Sequence, residues 1–152
     1  MPWTVIRDVS DRVNLPIDLV GAVVRQESFG DHFAARYESH YRYTVDTARF
    51  AKLNRISEKT ELEHQKTSWG LLQIMGGTAR DIGYKGALVG LTVPEVGLYW
   101  GAKFLKRLVD KYDHLDDAIA AYNAGSPRKD ANGKYVNQYY VDSVRKWMSD
   151  LQ

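Results

Sequence analysis

The sequence predicts a mainly α fold in a single domain spanning residues 1–152. Apolar residues recur at three- and four-residue spacing, and helix start and stop signals bracket those runs. No segment sustains the two-residue alternation of paired strands over a useful length, and there are no internal repeats. Against roughly 150 residues per domain, the length allows one domain and leaves little room for a second.

Val5, Ile6, Val9 and Val13 line one face of a first helix, which Asn14-Leu15-Pro16 breaks. A second helix is expected from Pro16, placed at the first helical position, to Ser28, with Asp18 complementing the dipole at its start. Ile17, Val20, Val23 and Val24 form its core face, and Phe29-Gly30-Asp31 is the stop because glycine takes the left-handed cap conformation readily. Residues 31–68 show no sustained period: Phe33, Tyr37, Tyr41, Tyr43 and Phe50 are scattered among charges. One helix is expected there, near Thr47 to Arg55, together with a small β-hairpin or irregular lobe.

Trp69 to Gly77 is a short apolar stretch between glycines, suited to a buried turn or small strand. A short helix is expected from Thr78 to Ile82. Thr92-Val93-Pro94-Glu95 reads as a capping box opening a helix that runs to about Tyr112, with Val96, Leu98, Tyr99, Ala102, Leu105 and Leu108 inward. Asp116 to Ala124 reads as a helix ended by Gly125. A last helix follows from about Val136, with Tyr140, Val144 and Trp147 or Met148 on its apolar face.

Composition excludes several function classes. Hydrophobic residues at 44% and charged residues at 26% are those of an ordinary globular chain. A net charge of +2 gives no electrostatic case for nucleic acid. The absence of cysteine removes disulfides, thiolate metal sites and cysteine nucleophiles. No apolar run approaches the roughly 20 residues of a membrane span. Arg7, Asp8, Asp11 and Arg12 interrupt the region where a secretory signal would lie. His32, His40, His64 and His114 lack the spacing of a zinc site and are expected at the surface, so no metal or other cofactor is implied. Gly76-Gly77 lacks the pattern of a phosphate loop and reads as a turn.

Glu27 is the most informative single residue. It follows an apolar helix and sits at its C-terminal end, where the dipole disfavours negative charge, and desolvation by aromatic neighbours would push the same way, so its pKa is expected to rise. A carboxylic acid kept protonated near neutrality suits protonation of a glycosidic oxygen. A solvated surface glutamate is the alternative on position alone.

Four ordered motifs then narrow the reading: Arg25-Gln26-Glu27-Ser28, Gly70-Leu71-Leu72-Gln73-Ile74-Met75, Ala121-Tyr122-Asn123-Ala124-Gly125 and Tyr140-Val141. Together, from about Leu15 to Trp147, they resemble the soluble lytic transglycosylase family. The resemblance implies a lysozyme-like fold related to goose-type lysozymes, and cleavage of the β-1,4 bond between N-acetylmuramic acid and N-acetylglucosamine in peptidoglycan. It makes Glu27 the acid and then the base of a reaction that leaves 1,6-anhydro ends. It also implies sugar-groove roles for Ser28, Gln73, Met75, Tyr122, Asn123 and Tyr140. Ser28 has a second reading as support for the helix end, and Tyr140 as a core residue.

The long insertion from Phe29 to Trp69 resembles the forms seen in bacteriophage enzymes, and Ser68-Trp69-Gly70 stands where many relatives have a Gly-Ala-x-Gly sequence. The expected partners are therefore peptidoglycan glycan strands, with no nucleic acid, no membrane segment and a monomeric state. The expected setting is a phage virion, or a host cytoplasm with release to the cell wall. Two further readings stay open: a hydrolytic goose-type muramidase using Asp31, Glu38 or Asp46 to position water, and a non-catalytic glycan-binding virion module.

Overall fold

The computed structural model describes all 152 residues. The chain begins with α1 (Trp3–Val13) and α2 (Ile17–Ser28), then passes through β1 (Ala35–Tyr37), α3 (Thr47–Asn54) and α4 (Glu58–Gln65). After β2 (Thr67–Trp69), β3 (Ile74–Met75) and α5 (Gly76–Asp81), a 3-10 turn at Leu88–Thr92 leads into α6 (Pro94–Lys111), α7 (Leu115–Ala124) and α8 (Gln138–Asp150). No helix is long and apolar enough to cross a membrane.

The main core forms around α2, whose Leu19, Val20, Ala22, Val23 and Val24 are fully buried. It packs against α1 and α8, with α6 and α7 closing the cluster through Leu98, Ala102, Leu105, Ile119 and Ala120. Both ends of α2 differ slightly from expectation. Pro16 is the N-cap, at φ −59° and ψ 135°, rather than the first helical residue. Ile17 lies at the exposed edge, and Leu19 takes the core position. At the other end Phe29 itself adopts the left-handed conformation, at φ 56°, ahead of Gly30 at φ 88°.

A smaller core of Trp69, Ile74, Ala79, Leu88 and Leu91 sits where the insertion meets α5 and α6. The β element is a three-stranded antiparallel sheet in the order β1-β2-β3, pairing Arg36 with Ser68 and Ser68 with Met75. Only β1 lies wholly inside residues 31–68; β3 comes from the Trp69–Gly77 stretch, joined to β2 by the Gly70–Gln73 turn. Gly70 at φ 70° carries that turn, and a Cβ there would come 2.4 Å from Leu91 O.

The capping box does not form. Val93 is the N-cap of α6 and makes no side-chain cap bond, while the Thr92 hydroxyl donates to Val89 O at 2.7 Å and closes the preceding turn. Pro94 opens the helix as expected. Gly125, at φ 82°, ends α7. Two elements were not foreseen, α4 and the 3-10 turn. His32 and His64 are partly buried rather than free at the surface: His32 Nδ1 meets Thr92 O at 2.8 Å, and the His64 ring packs edge-on to Trp69.

Candidate active site

Glu27 lies in the last turn of α2, and the residues on both sides of it are anchored. Gln26 Oε1 accepts from Ser143 Oγ at 2.5 Å and Trp147 Nε1 at 3.2 Å, joining the helix end to α8. The Ser28 hydroxyl donates to Leu71 O at 2.8 Å, with Val24 O also in reach, and accepts the Gly30 N–H. The helix end is thereby held to α8 on one side and to the Gly70–Gln73 turn on the other.

The carboxyl of Glu27 borders a cleft of about 1170 Å³, above the roughly 300–1,000 Å³ typical of small-molecule pockets and so suited to an extended ligand. One wall comes from the insertion, β3 and α5, through Arg36, Glu38, Tyr41, Tyr43 to Val45, Gln73 to Met75, Gly77, Thr78 and Asp81. The other comes from Phe104, the end of α7 with Tyr122 and Asn123, Arg128 in the loop that follows, and Tyr139 in the first turn of α8.

Two phenols lie near Glu27, the buried Tyr140 and the partly buried Tyr122. Tyr140, only 3% exposed, donates its hydroxyl to Glu27 Oε1 at 2.5 Å. Tyr122 donates to Leu72 O at 2.6 Å. Burial, followed by the nearby Glu27 charge, pushes both phenols well above 10, so both stay protonated and act as donors. Burial also raises the Glu27 carboxyl from 4.5 to about 7; the Tyr140 hydrogen bond and the Arg36 charge pull it partway back. The direction matches the expectation, and desolvation is its main cause.

The four motifs are therefore joined by hydrogen bonds. Ser28 of the first and Tyr122 of the third each hold a carbonyl of the second, Leu71 and Leu72. Tyr140 of the fourth reaches Glu27 of the first. Asn123 Oδ1 accepts from the buried Asn137 Nδ2 at 2.9 Å, and the same amide donates to Ala120 O.

Gln73, Met75, Tyr122 and Asn123 border the cleft, whereas Ser28 and Tyr140 stand behind its surface and act on Glu27's surroundings. Gln73 differs from the expectation in one respect: both N–H groups of its amide are engaged, with Ala34 O at 3.0 Å and Gly70 O at 2.9 Å. Its Oε1 accepts from Ser68 Oγ at 2.9 Å. Gln73 thus fixes the turn, and only its oxygen retains acceptor capacity toward a ligand.

Of the three carboxylates considered for positioning water, only Glu38 reaches the cleft, where it pairs with Arg36 Nε at 2.8 Å. Asp31 is turned back to accept the Phe33 N–H, and Asp46 caps α3 by accepting from Arg49 N. Asp81 borders the cleft instead. Arg36, Arg128, Tyr43 and Tyr139 were not singled out. The aromatic richness of the insertion was the available signal for Tyr43, and no sequence signal marked the other three.

The family model described as "Transglycosylase SLT domain" matches residues 4–142, nearly the whole chain. This chain belongs to the transglycosylase SLT domain family. Membership assigns peptidoglycan as the substrate class and lytic transglycosylation as the reaction class. All four motifs of the SLT domain, including the cleft-facing Glu27, fall inside the matched residues. No solved structure matches the chain.

Proposed function

We propose that Glu27 is the acid and then the base of a lytic transglycosylase that cleaves between N-acetylmuramic acid and N-acetylglucosamine. The observation that carries this reading is a carboxyl with a pKa of about 7, bordering the cleft and held by Tyr140. Such a group is substantially protonated near neutrality and can serve in both directions.

Glu27 gives its proton to the glycosidic oxygen as the bond to the muramoyl anomeric carbon breaks. The N-acetyl oxygen of the same sugar attacks that carbon and holds the positive charge. The Glu27 carboxylate next removes the proton from the muramoyl C6 hydroxyl, whose oxygen displaces the acetamido group and closes the 1,6-anhydro ring. No water is consumed, and Glu27 ends protonated as it began. The step is a substrate-assisted departure from the two-carboxylate scheme. The cleft's part is orientation: ring closure is fast only when O6 is held near the anomeric carbon.

Glu38 supports the hydrolytic alternative, since it borders the same cleft. Dye release from stained sacculi separates the two readings. Glu27→Gln is expected to abolish release, and Glu38→Gln and Asp81→Asn to retain it. Loss of release with either of the latter, at intact fold, favours a muramidase. A wild type that binds sacculi but releases nothing is a binding module. A bacteriophage setting is part of the same proposal and rests on the 31–68 insertion resembling phage forms.

A further inference from the structure

The cleft carries two bare aromatic rings, one on each wall. Tyr43, from the insertion, is 79% exposed, and Tyr139, in the first turn of α8, is 70% exposed. Neither belongs to the four motifs. An unoccupied tyrosine ring in a cleft presents an apolar face with a negative quadrupole, complementary to the axial C–H groups of a sugar ring.

The backbone that carries Tyr43 is fixed at three points. Fully buried Gln65 accepts the Val45 N–H at 2.6 Å and donates to Val45 O at 2.7 Å, while the same amide is tied to Glu61 at 2.9 Å. Tyr41 places its hydroxyl 3.1 Å from Thr78 Oγ1 and its ring edge-on to Tyr43 at 5.7 Å. Gly77 lies so close to the Tyr43 carbonyl that a Cβ there would come within 2.2 Å of it. Segment 41–45 is thus a wall held against α4 and α5, with the Tyr43 side chain left in solvent. Tyr139 is equally well placed, because the neighbouring Tyr140 is buried and bonded to Glu27.

We propose that Tyr43 and Tyr139 are substrate-binding residues that stack on pyranose rings of the glycan strand, one from each wall of the cleft. This rests on the peptidoglycan reading above. The sugar fits them through its axial C–H groups, which present an apolar, partly positive face to the ring.

The test uses Glu27→Gln protein, which holds substrate without turning it over, and calorimetric titration with glycan strands freed of peptide. Tyr43→Ala and Tyr139→Ala are each expected to weaken binding roughly three- to tenfold, the scale of one aromatic contact, and Tyr→Phe at either position to restore it. In the active background the loss should fall on KM rather than kcat. Alanine variants that bind within about twofold of the parent, or phenylalanine variants as weak as alanine, overturn the proposal. A deficit seen with intact peptidoglycan but not with peptide-free strands also overturns it. If the Glu27→Gln protein binds no strand and the wild type releases no muropeptide, the peptidoglycan reading falls as well. If the wild type cleaves while the tyrosine variants bind normally, only the stacking assignment falls.

Discussion

Tyr140 Oη donates to Glu27 Oε1 at 2.5 Å, joining two residues 113 positions apart. The bond favours the ionised carboxylate, so it opposes the burial that lifts Glu27 to about 7. Tyr140→Phe removes that opposition and should raise the Glu27 pKa further. The alkaline limb of kcat/KM, where the acid loses its proton, is expected near pH 7 in the wild type and above it in the variant. A limb that stays put or moves down would show that Tyr140 does not set the Glu27 proton affinity.

The same shift has a consequence for stability. Between pH 4.5 and about 7 the folded protein holds the Glu27 proton while the unfolded chain releases it. Stability is therefore lost as pH rises through that window, by up to about 3 kcal/mol. Glu27→Gln mimics the neutral form. Its denaturation midpoint should gain on the wild type from pH 5 to pH 8, whereas a parallel offset at all pH values would argue against a buried, raised carboxyl.

Ser28→Ala removes the hydroxyl that ties the end of α2 to Leu71 O. The expected loss is about 1–2 kcal/mol in urea unfolding, because the carbonyl is left partly buried without its donor. Activity should fall more than stability alone explains, since the Glu27 helix end and the Gly70–Gln73 turn lose their direct link. Activity equal to wild type under conditions where both proteins are folded would reduce Ser28 to a local cap.

The helices that frame the site were legible because their apolar faces repeat at helical period: α2, α6 and α8 carry Val20, Val23, Leu98, Leu105, Tyr140 and Val144 inward as expected. The raised pKa of Glu27 was legible from its place at the end of an apolar helix, but position alone left a solvated surface glutamate open, and only the four ordered motifs singled the residue out. In the insertion the helix at Thr47–Asn54 and a small β element came out as expected, but α4 did not. In α4 the buried face consists of Glu61 and Gln65, so hydrophobic periodicity had nothing to register. Glu61 takes a bidentate bond from Arg80, at 2.7 and 3.0 Å, and Arg80 also donates to Tyr84 O and Gly86 O. Nothing in local sequence announces that two polar residues of α4 and an arginine of α5 will satisfy one another. The cleft wall they support, and Tyr43 on it, was hidden for the same reason.

That buried network makes its own prediction. Arg80→Leu leaves Glu61 charged and without its partner in a site closed to water, and should cost about 3–5 kcal/mol. The Glu61→Leu/Arg80→Leu pair should recover much of the loss, because removing both charges also removes the uncompensated burial. A double variant as unstable as Arg80→Leu, measured by chemical denaturation, would mean that the packing and backbone bonds of Arg80 matter more than charge pairing.

If Glu27 alone serves as acid and base, the product closes on itself. Mass spectrometry of the muropeptides released from purified peptidoglycan tests it directly. The wild type should release 1,6-anhydro products, one water lighter than hydrolytic muropeptides, and Glu27→Gln none. Reducing-end products from the wild type would contradict it and point to a water held by Glu38 or Asp81.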